Sequence, residues 1–108
     1  MTERTGIDVT ELAAWRQSDA PPLVIDVREA WELDICALPG ALHIALNDLP
    51  RRLNDVPTDQ PVVLMCHHGG RSEHARRWLA QNGVTNALNL EGGIDAWSIA
   101  VDNTLARY

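Results

Sequence analysis

"VVLMCHHGGRSEHARRWL", Val62 to Leu79, decides how this chain is read. Val62 to Met65 is an unbroken apolar run between a proline and a glycine-rich turn, which predicts a buried strand. Beyond the turn, Ala75, Trp78 and Leu79 share one helical face. The spacing predicts a helix over Arg71 to Asn82, stopped at Asn82-Gly83. Cys66 therefore stands where a strand passes into a helix.

Working outward, short strands and helices alternate along the whole chain. Ile7-Asp8-Val9 reads as a weak first strand, and Thr10 as the N-cap of a helix with Leu12 and Trp15 on its apolar face. Ala20-Pro21-Pro22 ends that helix, and Leu23 to Asp26 forms a buried strand. Glu29 to Asp34 can form a short helix. Leu38-Pro39-Gly40 turns into a brief strand over Ala41 to Ile44. Asn47-Asp48 starts another helix, with Leu49 and Leu53 four apart. Ala87 to Leu90 is the last strand, Glu91-Gly92-Gly93 a turn, and Ile94 to Ala100 a final helix. The expected architecture is α/β, a mostly parallel sheet of about five short strands with helices on both faces. In such sheets ligands bind beyond the carboxyl ends of the strands. Asp26, Cys66 and Gly92-Gly93 each fall just past such an end.

The surroundings of Cys66 favour negative charge. Gly69 and Gly70 allow positive φ, so that backbone N–H groups can turn inward. The next helix directs its N-terminus at the same spot. Arg71 adds a full charge, and His67 and His68 add more when protonated. Helix N-termini and adjacent cations stabilise a thiolate over a thiol, which suits a cysteine attacking an anionic substrate. The alternative is a buried structural cysteine before a glycine turn. Spacing narrows the chemistry further. The pattern here is Cys66-x4-Arg71, whereas cysteine phosphatases carry Cys-x5-Arg, and position 72 is serine. A shorter loop fits a smaller group on sulfur, such as one extra sulfur atom.

The composition sets outer bounds. The 108 residues suit one compact domain over 1–108, and 45% apolar content suffices for a core. A formal net charge of −6 with no long basic run disfavours nucleic acid. The opening segment holds no signal peptide or membrane span, so a soluble cytoplasmic protein with no membrane association is expected. Cys36 and Cys66 are too few for a disulfide scaffold.

Four segments together resemble the single-domain rhodaneses, the thiosulfate sulfurtransferase family. "VIDVREAWEL" (Val24 to Leu33) resembles that family's strand-Asp-x-Arg-Glu signature, and "LPGALHI" (Leu38 to Ile44) its Pro-Gly-Ala turn and strand. "VVLMCHHGGRS" (Val62 to Ser72) is similar to its catalytic loop, and "LEGGIDAW" (Leu90 to Trp97) to its closing Gly-Gly-x-x-Ala-Trp. Cys36 and Ala37 stand where the family often has Gly-His. The resemblance implies that Cys66 takes sulfur from a small anionic donor such as thiosulfate, becomes a persulfide, and passes the sulfur to cyanide, a thiol or a protein acceptor. It further implies that His67, His68, Gly69, Gly70 and Arg71 form the substrate and persulfide loop, with inward N–H groups on the terminal sulfur. Arg71 would either orient the donor or brace the loop. Two other readings stay open, a sulfur carrier that hands persulfide sulfur to a protein partner and an arsenate or phosphatase-type cysteine enzyme.

Asp26 and Arg28 are secondary site candidates. Asp26 could equally cap the next segment or pair with an arginine. Arg28 could reach the donor or pair with Glu29, Glu32 or Asp34. Glu32 reads as a framework residue, and His43 and His74 as structural or solvent-facing. Cys36, between Ile35 and Ala37-Leu38, reads as a core cysteine, although a resolving thiol is the other possibility. A metal held by Cys66, His67 and His68 is not expected, because adjacent residues rarely all ligate one ion. No cofactor is called for.

Overall fold

A computed structural model describes residues 4–108. Five strands form one sheet: β1 (Gly6–Ile7), β2 (Leu23–Asp26), β3 (Leu42–His43), β4 (Val62–Met65) and β5 (Ala87–Leu90). Their order is β1-β5-β4-β2-β3, and every neighbouring pair is parallel. Four α-helices connect or follow them: α1 (Val9–Arg16), α2 (Ala30–Ile35), α3 (Gly70–Gln81) and α4 (Gly93–Ala100). This is the expected rhodanese-like α/β architecture. Among the described residues, no helix is long and apolar enough to cross a membrane.

The central strand explains its own sequence. Val62, Leu64 and Cys66 belong to the core beneath α3, with Ile25, Ala75 and Leu79. Val63 and Met65 belong to the opposite core, with Leu12 of α1 and Ile94 and Trp97 of α4. Side chains alternate along a strand, so a strand covered on both faces must be apolar at every position. The same alternation places Cys66 on the α3 side of the sheet, one residue past the end of β4. Asp26 has the opposite parity. It pairs with Met65 across the sheet and lies toward the other layer.

Several local expectations shift. The first strand is Gly6–Ile7, and Val9 already belongs to α1. Asp8, not Thr10, caps that helix, its carboxylate accepting from the Glu11 N–H at 2.8 Å. The expected strand over Ala41 to Ile44 shortens to Leu42–His43. The expected helix near Asn47 is instead two 3₁₀ segments, Leu46–Asp48 and Pro50–Asp55. Pro50 has no N–H to donate, so a continuous α-helix through it would lose a bond. α3 begins at Gly70, one residue earlier than expected.

Candidate active site

Cys66 is 1% exposed and lies at the foot of α3. Its Sγ accepts hydrogen bonds from the N–H of Gly69 at 3.1 Å and of Ser72 at 3.4 Å. The Ser72 hydroxyl lies 3.3 Å from the same sulfur. Two N–H groups and the positive end of a 12-residue helix thus surround one sulfur. Only Gly69 of the glycine pair uses positive φ, at 111°. Gly70 is the first helical residue.

A second helix end holds the loop from outside. The first N–H groups of α4 donate to the carbonyls of Cys66 (Ile94, 2.9 Å) and His67 (Asp95, 3.1 Å). Those two bonds fix the peptides on either side of His67 and hold the first half of the loop against α4. The close approach requires a residue without a side chain. A Cβ on Gly93, whose φ is 61°, would overlap the carbonyl oxygen of His67 and lie 2.6 Å from that of Cys66.

Arg71 ties the start of α3 to α2. Its guanidinium donates twice to the buried carboxylate of Glu32, at 2.6 and 2.9 Å, and keeps 37% of its side chain exposed. Burial pushes the Glu32 carboxyl up. The hydrogen bonds from Arg71 and Tyr108 outweigh that effect and hold it at about 2. The Tyr108 hydroxyl donates to Glu32 at 2.6 Å and accepts from Arg28 at 3.0 Å. Burial, with the carboxylate of Glu32 beside it, pushes the Tyr108 hydroxyl up to about 12.

Asp26 and Arg28 form a pair inside the sheet rather than at the sulfur. Arg28 is fully buried and donates to Asp26 at 2.7 Å and to the Cys36 carbonyl at 2.9 Å. Its carboxylate partner is therefore Asp26 rather than Glu29, Glu32 or Asp34, and of Glu32 it reaches only the backbone carbonyl, at 3.4 Å. The sequence separation of two conceals the contact, because Arg28 curls back on its own strand end.

His67 sits between two rings. It stacks on Tyr108 at 3.7 Å and on His68 at 3.8 Å between centroids. Burial, and then the neighbouring His68, lowers its affinity for a proton, so it offers an aromatic wall rather than a positive charge. Donor atoms of His67, His68 and Asp95 lie within 4.8 Å of one another. Stacked imidazoles send their in-plane lone pairs side by side rather than to one point, and Asp95 already accepts from Arg107 at 2.8 Å. The cluster fits an ion poorly.

Three residues that complete this site escaped sequence reading. Ser72 closes the loop segment and excludes the Cys-x5-Arg spacing, but the sequence assigns its side chain no contact with the sulfur. Asn89 lies in β5, and Tyr108 is 42 positions beyond Cys66. The pairing of β4 with β5 brings Asn89 to the loop, and the segment after α4 brings Tyr108 onto His67.

Residues 8–100 match the family model described as "Rhodanese-like domain". A sulfurtransferase of Allochromatium vinosum is 38% identical over 76 residues, which cover 70% of this chain and 71% of that protein. A solved structure from Staphylococcus saprophyticus subsp. saprophyticus is 36% identical with a TM-score of 0.83, covering 90% of this chain and 96% of its own. The structure of a NAD-dependent persulfide reductase from A. fulgidus is 31% identical with a TM-score of 0.70, covering 87% of this chain and 16% of that one.

Two outcomes follow from the geometry. Gly93→Ala should displace the loop and lower alkylation of Cys66 by roughly tenfold or more at neutral pH, with the far-ultraviolet circular dichroism of a folded chain retained. Glu32 has a folded value of about 2 against 4.5 for the free side chain, so its contribution to stability is complete above pH 4.5 and lost as pH falls toward 2. Glu32→Gln should cost about 2 kcal/mol at pH 7, less than a fully buried pair because Arg71 keeps one side in water. Urea midpoints measured from pH 7 to 2.5 should fall less steeply with acid in the variant than in the wild type.

Proposed function

The chain belongs to the rhodanese-like domain family of sulfurtransferases, and we propose that it moves sulfane sulfur through a persulfide on Cys66. The observation that carries this reading is the sulfur's position, held by the N–H groups of Gly69 and Ser72 at the start of α3. Thiosulfate is the proposed donor. The Cys66 thiolate attacks its outer sulfur, a new S–S bond forms, and the old one breaks with its electron pair leaving on sulfite. An acceptor then attacks the terminal sulfur. With cyanide the products are thiocyanate and the Cys66 thiolate; with a thiol, a new persulfide.

Backbone dipoles do most of the electrostatic work in this scheme. Arg71 is neutralised by Glu32, and His67 is held toward its neutral form. The dianionic donor and the persulfide would therefore be held chiefly by loop N–H groups, whose orientation needs no rearrangement during reaction. Arg71 acts as a brace for the loop. The one-residue-shorter loop leaves a tetrahedral phosphoryl group less room, which disfavours the phosphatase and arsenate alternatives.

Intact-protein mass spectrometry after thiosulfate, followed by cyanide, tests the cycle. Wild type should gain one sulfur and lose it to cyanide, and Cys66→Ser should gain none. A folded wild-type protein that gains no sulfur from thiosulfate overturns the thiosulfate route. If a protein persulfide then loads Cys66, and small acceptors leave the adduct untouched, the chain is a carrier rather than a turnover enzyme.

A further inference from the structure

The Ser72 hydroxyl has two neighbours and one proton. It lies 2.5 Å from Asn89 Oδ1 and 3.3 Å from Cys66 Sγ. Both Ser72 and Asn89 are buried, so water does not supply an alternative partner. The orientation of the Asn89 amide decides between them. Its Nδ2 donates to the carbonyl oxygen of Gly69 at 3.2 Å. Turning the amide over would set Oδ1 against that carbonyl, two acceptors facing each other. Oδ1 therefore faces Ser72, and an amide oxygen only accepts. At 2.5 Å the serine proton lies on the Asn89 side.

Toward Cys66, Ser72 then presents a lone pair. That suits a thiol, whose S–H can donate to it. It does not suit a thiolate, which needs the hydroxyl proton for itself. When Cys66 ionises, its proton leaves to solvent, and the Ser72 hydroxyl must rotate away from Asn89 to donate to the sulfur. The O–H bond stays intact throughout; only its direction changes. We propose that Asn89 is a positioning residue that restrains ionisation of Cys66 by competing for the single hydroxyl proton of Ser72. The same rotation would serve sulfur release, when the Cys66 sulfur departs from the persulfide as a thiolate. The inference rests on the reading of Cys66 as the working nucleophile, but it concerns the state of the thiol before any donor binds.

Iodoacetamide alkylation of Cys66, followed against pH by peptide mass so that Cys36 is counted separately, tests the competition. Asn89→Ala releases the hydroxyl. Its alkylation profile should move toward acid by about half a pH unit, with the rate below the midpoint rising about twofold, since a less basic thiolate is also a weaker nucleophile. Ser72→Ala should move the profile toward alkali. Adding Asn89→Ala to Ser72→Ala should produce no further change, because the contested proton is gone. Asn89→Asp, which keeps the size and strengthens the acceptor, should move the profile toward alkali by more with Ser72 present than in Ser72→Ala, a difference that neither a loosened loop nor the added charge produces, and it keeps the test decisive if Asn89→Ala does not fold. A merely structural Asn89 would make every substitution slow alkylation by loosening the loop. The proposal is overturned if folded Asn89→Ala alkylates no faster than wild type, if its effect persists without Ser72, or if Asn89→Asp accelerates the reaction. Alkylation needs no sulfur donor, so a wild-type protein that fails to load sulfur yet shows this pattern loses the proposed activity and keeps the competition.

Discussion

Two hydrogen bonds from the start of α4 to the carbonyls of Cys66 and His67 hold the loop on which the site depends. A peptide carries its carbonyl and the next N–H on opposite sides. Drawing these carbonyls outward fixes the two peptides that flank His67, and the chain then reaches Gly69 and Ser72, whose N–H groups donate to the sulfur. The start of α4 thus anchors the loop from which the sulfur receives its donors. Gly93 is the condition for this, since any side chain there would occupy the space of those carbonyls. The glycine pair near the end of the chain and the cysteine in its middle form one structural unit.

Around that unit the charged groups do a different job. Asp26, Arg28, Tyr108, Glu32 and Arg71 make a continuous hydrogen-bonded chain from the end of β2 to the start of α3. Each buried charge in it meets an opposite charge or a hydroxyl, which offsets the cost of taking it from water. The chain fixes the distance between two strand ends and the helix that follows one of them. It leaves no free cation beside the sulfur among the residues it joins. The N–H groups of Gly69 and Ser72 make the backbone hydrogen bonds to Cys66, while the Arg71 guanidinium gives its own to Glu32.

Much of the frame was legible along the chain. Val62 to Met65 is apolar at every position because both faces are covered, and the Cys66 loop stands out because a strand, glycines and a helix start coincide. The 3₁₀ segments were less legible. Leu49 and Leu53 have helical spacing, but Pro50 between them removes a donor and tightens the turn. Arg71 invited a substrate role from its place in the loop. Its carboxylate partner, Glu32, lies 39 positions away and is brought near because β2 and β4 pair side by side, so that α2 and α3 start from the same edge of the sheet.

Sequence by itself determined the alternation of elements, the parallel sheet, the place of Cys66 at the end of a buried strand, and the glycine-bearing turns. These are local properties of period, conformational freedom and apolar continuity. The tertiary structure alone decided which polar groups meet. Ser72 finds Asn89, Arg71 finds Glu32, and Tyr108 covers His67 while joining two ion pairs. Such partners are chosen by strand order and side-chain direction, and a residue's number along the chain carries neither.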